Sequence, residues 1–460
     1  MCMRLIKRFL ILALLLIAVP CWGANFYINP DWTGAESGTY DEPWNSFSDI
    51  TGLSSGDDIY IKYGTTIHGE LTIPVSGVSA ANRTIVGCYD GNGDFDCTGK
   101  TLPIIYGYKT VSGGWTQHSG NVYYASVSNE VFSVFQDGDW VNLAWDSGGK
   151  YTIDCMDSTT GTTPTSCSTG TKNRETRFEL PEDGDDMSYT EAQIIGADVL
   201  VNQQAWLRYR YRVESYTNNI ITFYTDNQYD GSSAYTGASV DYWTPYNLFN
   251  KLLFLDDENE WFWCTAAHAA RGECTANRLY LYQTGGGSPT GTITYSALGN
   301  GIEASGKDFL EIRELEISHF YLNGIYLYDC LDVIIGSSRV DGVHIHHIGS
   351  EKNLGDSEDS DFEGGGIVIE KSQYDNDFSS AKIEIQYTKI NDITSMGIKG
   401  QYYANYYIHH NDIDDIGVYN SNMSEWMGTR VGQGIYVSGI WWESVSLGTI
   451  SYNKKKHWVQ

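Results

Sequence analysis

Four carboxylates stand where chemistry on a long substrate could be done. Glu370 ends the segment Gly366-Ile-Val-Ile-Glu, Asp392 and Asp415 occupy one equivalent position in two successive repeats, and Glu363 abuts Gly364-Gly-Gly366. Two carboxyl groups flanking a glycosidic bond suffice for its hydrolysis, one donating a proton to the leaving oxygen and the other serving as base or nucleophile. Tyr326, Tyr328, Tyr436 and Trp426 offer flat apolar faces to a sugar ring, and Lys399 offers a cation. Lys399 and Lys371 are also bases for a β-elimination, but no arginine partner follows one repeat later. Asp392 and Asp415 have a plainer alternative, because Asp at a tight corner commonly binds turn amides.

A second group suggests a cation. Asp90, Asn92, Asp94 and Asp96 place side-chain oxygens at alternate positions, the spacing of a calcium loop, although Thr101 stands where the closing Glu would be. The loop is thus a candidate for one structural calcium, or a turn pinned by Cys88 and Cys97.

The elements that position these residues are short and periodic. One template recurs as Ile312, Leu315, Ile317, His319, Phe320; Val340, Val343, Ile345, His347, Ile348; Ile385, Thr388, Ile390, Asp392, Ile393; and Ile408, Asn411, Ile413, Asp415, Ile416. Alternating apolar positions bounded by turns are strand-like, and a period of 23 to 28 residues predicts a parallel β-helix with one coil enlarged by a loop. A second strand in each coil begins Gly-Ile, at Gly324, Gly366, Gly397 and Gly434. Alternation then predicts two external ladders, one of Tyr326, Val368, Lys399 and Tyr436, the other of Tyr328, Glu370, Gln401 and Ser438. A fifth repeat opens at Ile450 and stops within one coil, so the sequence reads as C-terminally truncated.

Composition agrees with an all-β chain: 49 Gly, 34 Tyr and 14 Trp stand against 9 Pro. Arg4, Lys7 and Arg8 precede an apolar run from Phe9 to Val19 and a Gly23-Ala24 exit, which predicts a cleaved signal peptide at residues 1–24 and export to the periplasm, cell surface or medium. Pro20 before Cys21 fits a lipidation signal poorly, so no membrane attachment is expected after cleavage. A net charge of −29, more negative still once the three leader cations are removed, repels nucleic acid and anionic lipid. Export favours local disulfides between Cys88 and Cys97, Cys155 and Cys167, and Cys264 and Cys274, which leaves Cys330 as a buried thiol.

Two segments resemble known proteins. Phe26-Tyr-Ile-Asn-Pro30, Gly38 to Trp44 and Gly56-Asp-Asp-Ile-Tyr-Ile-Lys62 resemble the N-terminal cap of exported right-handed parallel β-helix proteins of the pectate-lyase-like superfamily. Asn247 to Asp256, Glu260-Trp-Phe-Trp263 and Leu279-Tyr-Leu-Tyr282 resemble the β-rich domain inserted before the main helix in β-helix glycoside hydrolases. The resemblance implies a cap and first coils at 25–108, an inserted β-rich domain at 109–300 and the repeats at 301–460. It also implies a secreted polysaccharide-active enzyme, a glycoside hydrolase by preference. A polysaccharide lyase and a non-catalytic glycan-binding or adhesive protein are the alternatives, and neither sugar nor oligomeric state follows from the sequence.

Overall fold

The computed structural model describes residues 23–95, 97–146, 151–153, 155–157, 177–179, 189–204, 207–217, 220–223, 244–336, 342–350, 364–370, 382–401, 405–417, 433–438, 450–451 and 454–455. The chain is nearly all β, and three of the five sheets formed by the described residues are parallel. The first long sheet stacks Asn25–Ile28, Asp58–Lys62, Thr84–Tyr89, Leu310–Ile312, Val333–Ile335, Lys382–Gln386, Asn405–His409 and Ile450–Ser451. The second holds Thr66–His68, Ile104–Tyr106, Leu315–Ser318, Val343–Ile348, Thr388–Ile393, Asp412–Ile413 and Lys454–Lys455. The third holds Leu71–Thr72, Asn300–Ser305, Asn323–Tyr328, Gly365–Glu370, Met396–Gln401 and Gln433–Ser438. From Asn300 onward the chain visits third, first and second sheet in that unchanging order, so each circuit adds one strand to each sheet.

One continuous core fills the space between the three sheets. It runs from Ile28 and Trp44 through Ile302, Ile325, Ile367 and Ile398 to Ile413 and Ile416, and consists chiefly of stacked isoleucines. β-Branched side chains suit this position because their stiff rotamers pack against the same residue one strand away. Tyr406 enters the core where Gly400 faces it; a Cβ on Gly400 would sit 2.6 Å from the tyrosine ring.

The corners are made by residues with positive φ. His319, His347, Asp392 and Asp415 turn the chain out of the second sheet at φ 64°, 54°, 55° and 48°; Glu314, Tyr387 and His410 turn it out of the first. Left-handed backbone is costly for most side chains and least so for Asn, Asp and His. The residue type at the template's fourth position is therefore a backbone requirement. Its first position needs correcting: strand register aligns Ile312, Ile335, Ile385 and Ile408, so the second repeat begins at Ile335 and not at Val340, which lies outside the described residues. The underlying repeat is thus 23 residues, lengthened between Ile335 and Ile385 by extra chain after Gly336, Ser350 and Glu370.

Between Tyr106 and Asn300 the chain leaves the stack to build two further sheets, mostly antiparallel. The first has Tyr108–Thr110 and Thr116–Ser119 at its edges and carries Ile293–Ser296, Val134–Gln136, Asp139–Leu143 and Glu260–Trp263 between them; the second is centred on Asp198–Gln204 and Leu207–Thr217. Two apolar clusters fill them, one around Trp261 and Leu279, the other around Phe262 and Tyr246. The insertion returns onto the coils at the corner histidines: Phe135 packs edge-on to His319 at 4.3 Å, Trp140 lies over His347 at 5.9 Å, and the Ser133 hydroxyl donates to the Gly349 carbonyl.

Candidate functional site on the third sheet

The Gly-Ile openings of the third sheet's strands have a steric origin. A Cβ at Gly301, Gly324, Gly366 or Gly397 would stand 2.6 or 2.7 Å from the carbonyl oxygen of the matching glycine one coil on, so only glycine allows this close stacking. With glycine fixed, the next residue points inward, as Ile325, Ile367 and Ile398 do. The two ladders then follow: Tyr326 pairs with Val368 and Val368 with Lys399, while Tyr328 pairs with Glu370 and Glu370 with Gln401. Tyr436 and Ser438 continue them in the backbone register.

These outer positions are less open than a simple strand alternation predicts. Val368 is 3% exposed, Lys399 2% and Gln401 5%, while Tyr326, Tyr328 and Glu370 remain partly accessible. Glu370 is the centre of the polar contacts. Its Oε1 accepts a hydrogen bond from the Lys399 ammonium at 2.7 Å, and its Oε2 accepts one from the Tyr326 hydroxyl at 3.3 Å. Burial, and then the Glu370 carboxylate, push the Tyr326 phenol well above its usual value. Glu303 lies on the Tyr326 ladder one coil before it, two coils from the coil of Glu370, and acts on the same phenol; its Oε2 accepts from the Asn300 amide at 3.1 Å. An ammonium and a phenol thus fix the Glu370 carboxylate on this face, and a second carboxyl, Glu303, shares it.

The corner aspartates are not part of this group. Asp392 precedes the strand Met396–Gln401 at its start, whereas Glu370 pairs with Gln401 at its end, five residues or about 17 Å along the sheet. The Asp392 carboxylate instead accepts from the Asn391 side-chain amide, on the second-sheet side. Asp415 is exposed at the next corner, where its carbonyl accepts from the Ile393 amide at 3.1 Å. Glu363, Lys371 and Trp426 lie outside the described residues, as does the side chain of Tyr436.

In the Asp90 loop, Oδ1 accepts from the amides of Asn92 and Asp94, and Oδ2 pairs with Lys100 at 2.5 Å. These contacts hold the Asp90 carboxyl at about 2, the Lys100 bond first among them. The lysine thus already neutralises the first of the proposed calcium ligands; Asp96 lies outside the described residues. Disulfides join Cys88 to Cys97 and Cys264 to Cys274, and Cys330 is buried, whereas Cys167 is outside the described residues and the Cys155 side chain with it. Among the described residues no helix is long and apolar enough to cross a membrane.

No protein-family model matches the chain, and no curated protein matches it. Among solved structures the chain is similar to a protein described as a glycoside hydrolase, at 10% identity and a TM-score of 0.48, over 94% of this chain and 96% of that one. It is also similar to XylC in complex with xylose, at 11% identity and a TM-score of 0.35, over 84% of this chain and 62% of that one. A third is the GH136 lacto-N-biosidase from Eubacterium ramulus, at 11% identity and a TM-score of 0.33, over 86% of this chain and 42% of that one. None of these likenesses assigns a role to a residue here.

One group of side chains escaped the sequence reading. Among the described residues, Glu316, His344 and His346 offer ligand atoms that all lie within 4.8 Å of one another on the outer face of the second sheet. His346 Nε2 is 3.0 Å from Glu316 Oε1, and His344 Nδ1 is 4.0 Å from Glu316 Oε2. The signal was the pair His344-x-His346 inside a strand, which alternation puts on one face. Glu316 comes beside it through the register Glu316 to His344, which follows from the template's alignment of Leu315 with Val343 and Ile317 with Ile345.

Proposed function

We propose that the chain is an exported, right-handed parallel β-helix protein that hydrolyses glycosidic bonds of a polysaccharide lying across the third sheet's outer face. The observation that carries this reading is Glu370, fixed between Lys399 and Tyr326 beside the partly accessible Tyr328. In this reading Glu370 is base or nucleophile and Glu303 the proton donor, with the tyrosine rings as stacking platforms. These two glutamates are two rises, about 9.6 Å, apart across the coils and two residues, about 6.8 Å, apart along the strand, nearer the wide separation that admits a water molecule than the narrow one of a covalent mechanism. The acidic chain favours a neutral glycan over a uronate. Disulfides within short loops support export to an oxidising compartment.

The test is a panel of plant, algal and animal glycans, read for new reducing ends and for the ultraviolet absorbance of an unsaturated uronate. Reducing ends alone, lost in Glu370→Gln, are expected. Absorbance in the second channel would replace hydrolysis by elimination. The burial of Lys399 favours a second reading, in which the Glu370 pair is structural and the face only binds glycan. That reading predicts silence in both channels and glycan binding that survives Glu370→Gln.

A further inference from the structure

We infer that Glu316, His344 and His346 form a binding site for a zinc-type divalent transition metal, on a face of the coil other than that of Glu370. Two imidazoles and one carboxylate are a donor set that suits such ions, and three protein ligands leave a coordination position for water or an incoming ligand. Metal–ligand bonds of about 2.0–2.1 Å require ligand atoms roughly 3.3 Å apart in a tetrahedron. The ligand atoms lie within 4.8 Å of one another, with 3.0 and 4.0 Å from the Glu316 oxygens Oε1 and Oε2 to His346 and His344, within side-chain adjustment of that value. The three side chains are 14 to 24% exposed, which shelters the site from bulk solvent without sealing it.

The hydrogen bonds around the group orient it for ligation. The Asn391 side-chain nitrogen donates to Asp392, so its Oδ1 is left to accept from His344 Nε2 at 2.9 Å. A carbonyl oxygen can only accept; His344 therefore carries its proton on Nε2 and turns the Nδ1 lone pair towards Glu316. His346 presents Nε2 to Glu316, and its Nδ1 lies 2.7 Å from Nδ1 of His347, which can accept the proton that Nε2 ligation leaves there. Both histidines thus have the outer partner that metal-bound imidazoles use to fix their tautomer. Asp392, a catalytic candidate from the sequence alone, is in this arrangement the third member of the chain Asp392, Asn391, His344: a positioning residue.

The test uses full-length, tag-free protein stripped with a chelator, titrated with Co(II) by visible absorption and with Zn(II) by calorimetry. One tight Co(II) per chain is expected, with the strong visible bands of four- or five-coordinate cobalt, displaced by Zn(II). Glu316→Gln, which keeps a hydrogen-bonding group of the same shape, and His344→Gln should each weaken binding by at least about tenfold. Asn391→Leu should weaken it by about tenfold with the cobalt bands retained, as removal of an outer partner does. His409→Gln, on the first sheet, should leave affinity unchanged. Unfolding midpoints of the stripped proteins separate lost ligands from lost fold. Co(II) spectra like those of the aqueous ion, or equal affinities in wild type and Glu316→Gln, would overturn the site. Neither result bears on hydrolysis at Glu370, which is read separately on glycans.

Discussion

Glu370 and Lys399 are neighbours only because one coil lies on the next, and their contact should be measurable as a coupling. Lys399 is 2% exposed and its ammonium is 2.7 Å from Glu370 Oε1, so water screens the pair little. A double-mutant cycle of Glu370→Gln and Lys399→Met, followed by urea unfolding, should give an interaction of about 1–3 kcal/mol. Additive effects would mean that the pair is not formed in solution. At this scale the sequence was legible where residue type follows from an alternating strand: Glu370, Tyr326 and Lys399 sit on the expected ladders. It left two readings open where two causes select the same residue. Asp392 and Asp415 are candidates for catalysis or for a tight corner, and the left-handed φ they share with His319 and His347 is a cause that selects Asp and His whatever their chemistry.

At the scale of elements, local pattern identified each strand and missed what joins strands together. The Gly-Ile openings were readable because a glycine's neighbour one coil on leaves no space for a Cβ. The register of Ile335 was not, since Val340 satisfies the same spacing and only pairing with Ile312 and Ile385 decides between them. The strand Glu260–Trp263 carries a consequence that spacing could not show. Glu260 is buried at the edge of the Trp261 cluster, its Oε2 accepting from the amides of Asp256 and Asp257, and burial raises its carboxyl to about 8. A carboxyl raised in the native state holds its proton more tightly there than when unfolded. The stability it contributes is therefore full below about 4.5, falls through the neutral range and is lost as pH passes about 8. Urea midpoints at acid, neutral and mildly alkaline pH should decline in wild type and decline less in Glu260→Gln. Parallel curves for the two proteins would mean that Glu260 is ionised in the fold at neutral pH.

For the whole molecule the question is whether the coils and the inserted sheets are one cooperative unit. Their junction is a seam of rings and hydroxyls at the second-sheet corner. Phe135, fully buried, packs on His319; Trp140 covers His347; Ser133 and Ser350 bond across to the carbonyls of Gly349 and Phe132. His319 and His347 in turn stack at 4.9 Å and nearly parallel, so a change at one corner is felt at the next coil. Phe135→Ala removes the ring that fills this seam, and a cavity of that kind costs about 3–5 kcal/mol. Because the lost contacts belong to both parts, amide exchange should quicken in Leu315–Ser318 of the coil as well as in Val134–Gln136 of the insertion. Faster exchange confined to Val134–Gln136 would show instead that the coils stand alone energetically and carry the inserted sheets as an independent passenger. The metal proposed at Glu316, His344 and His346 sharpens this test. Its outer partner His347 lies under Trp140, so loading the site should restore part of the protection that Phe135→Ala removes from the coil.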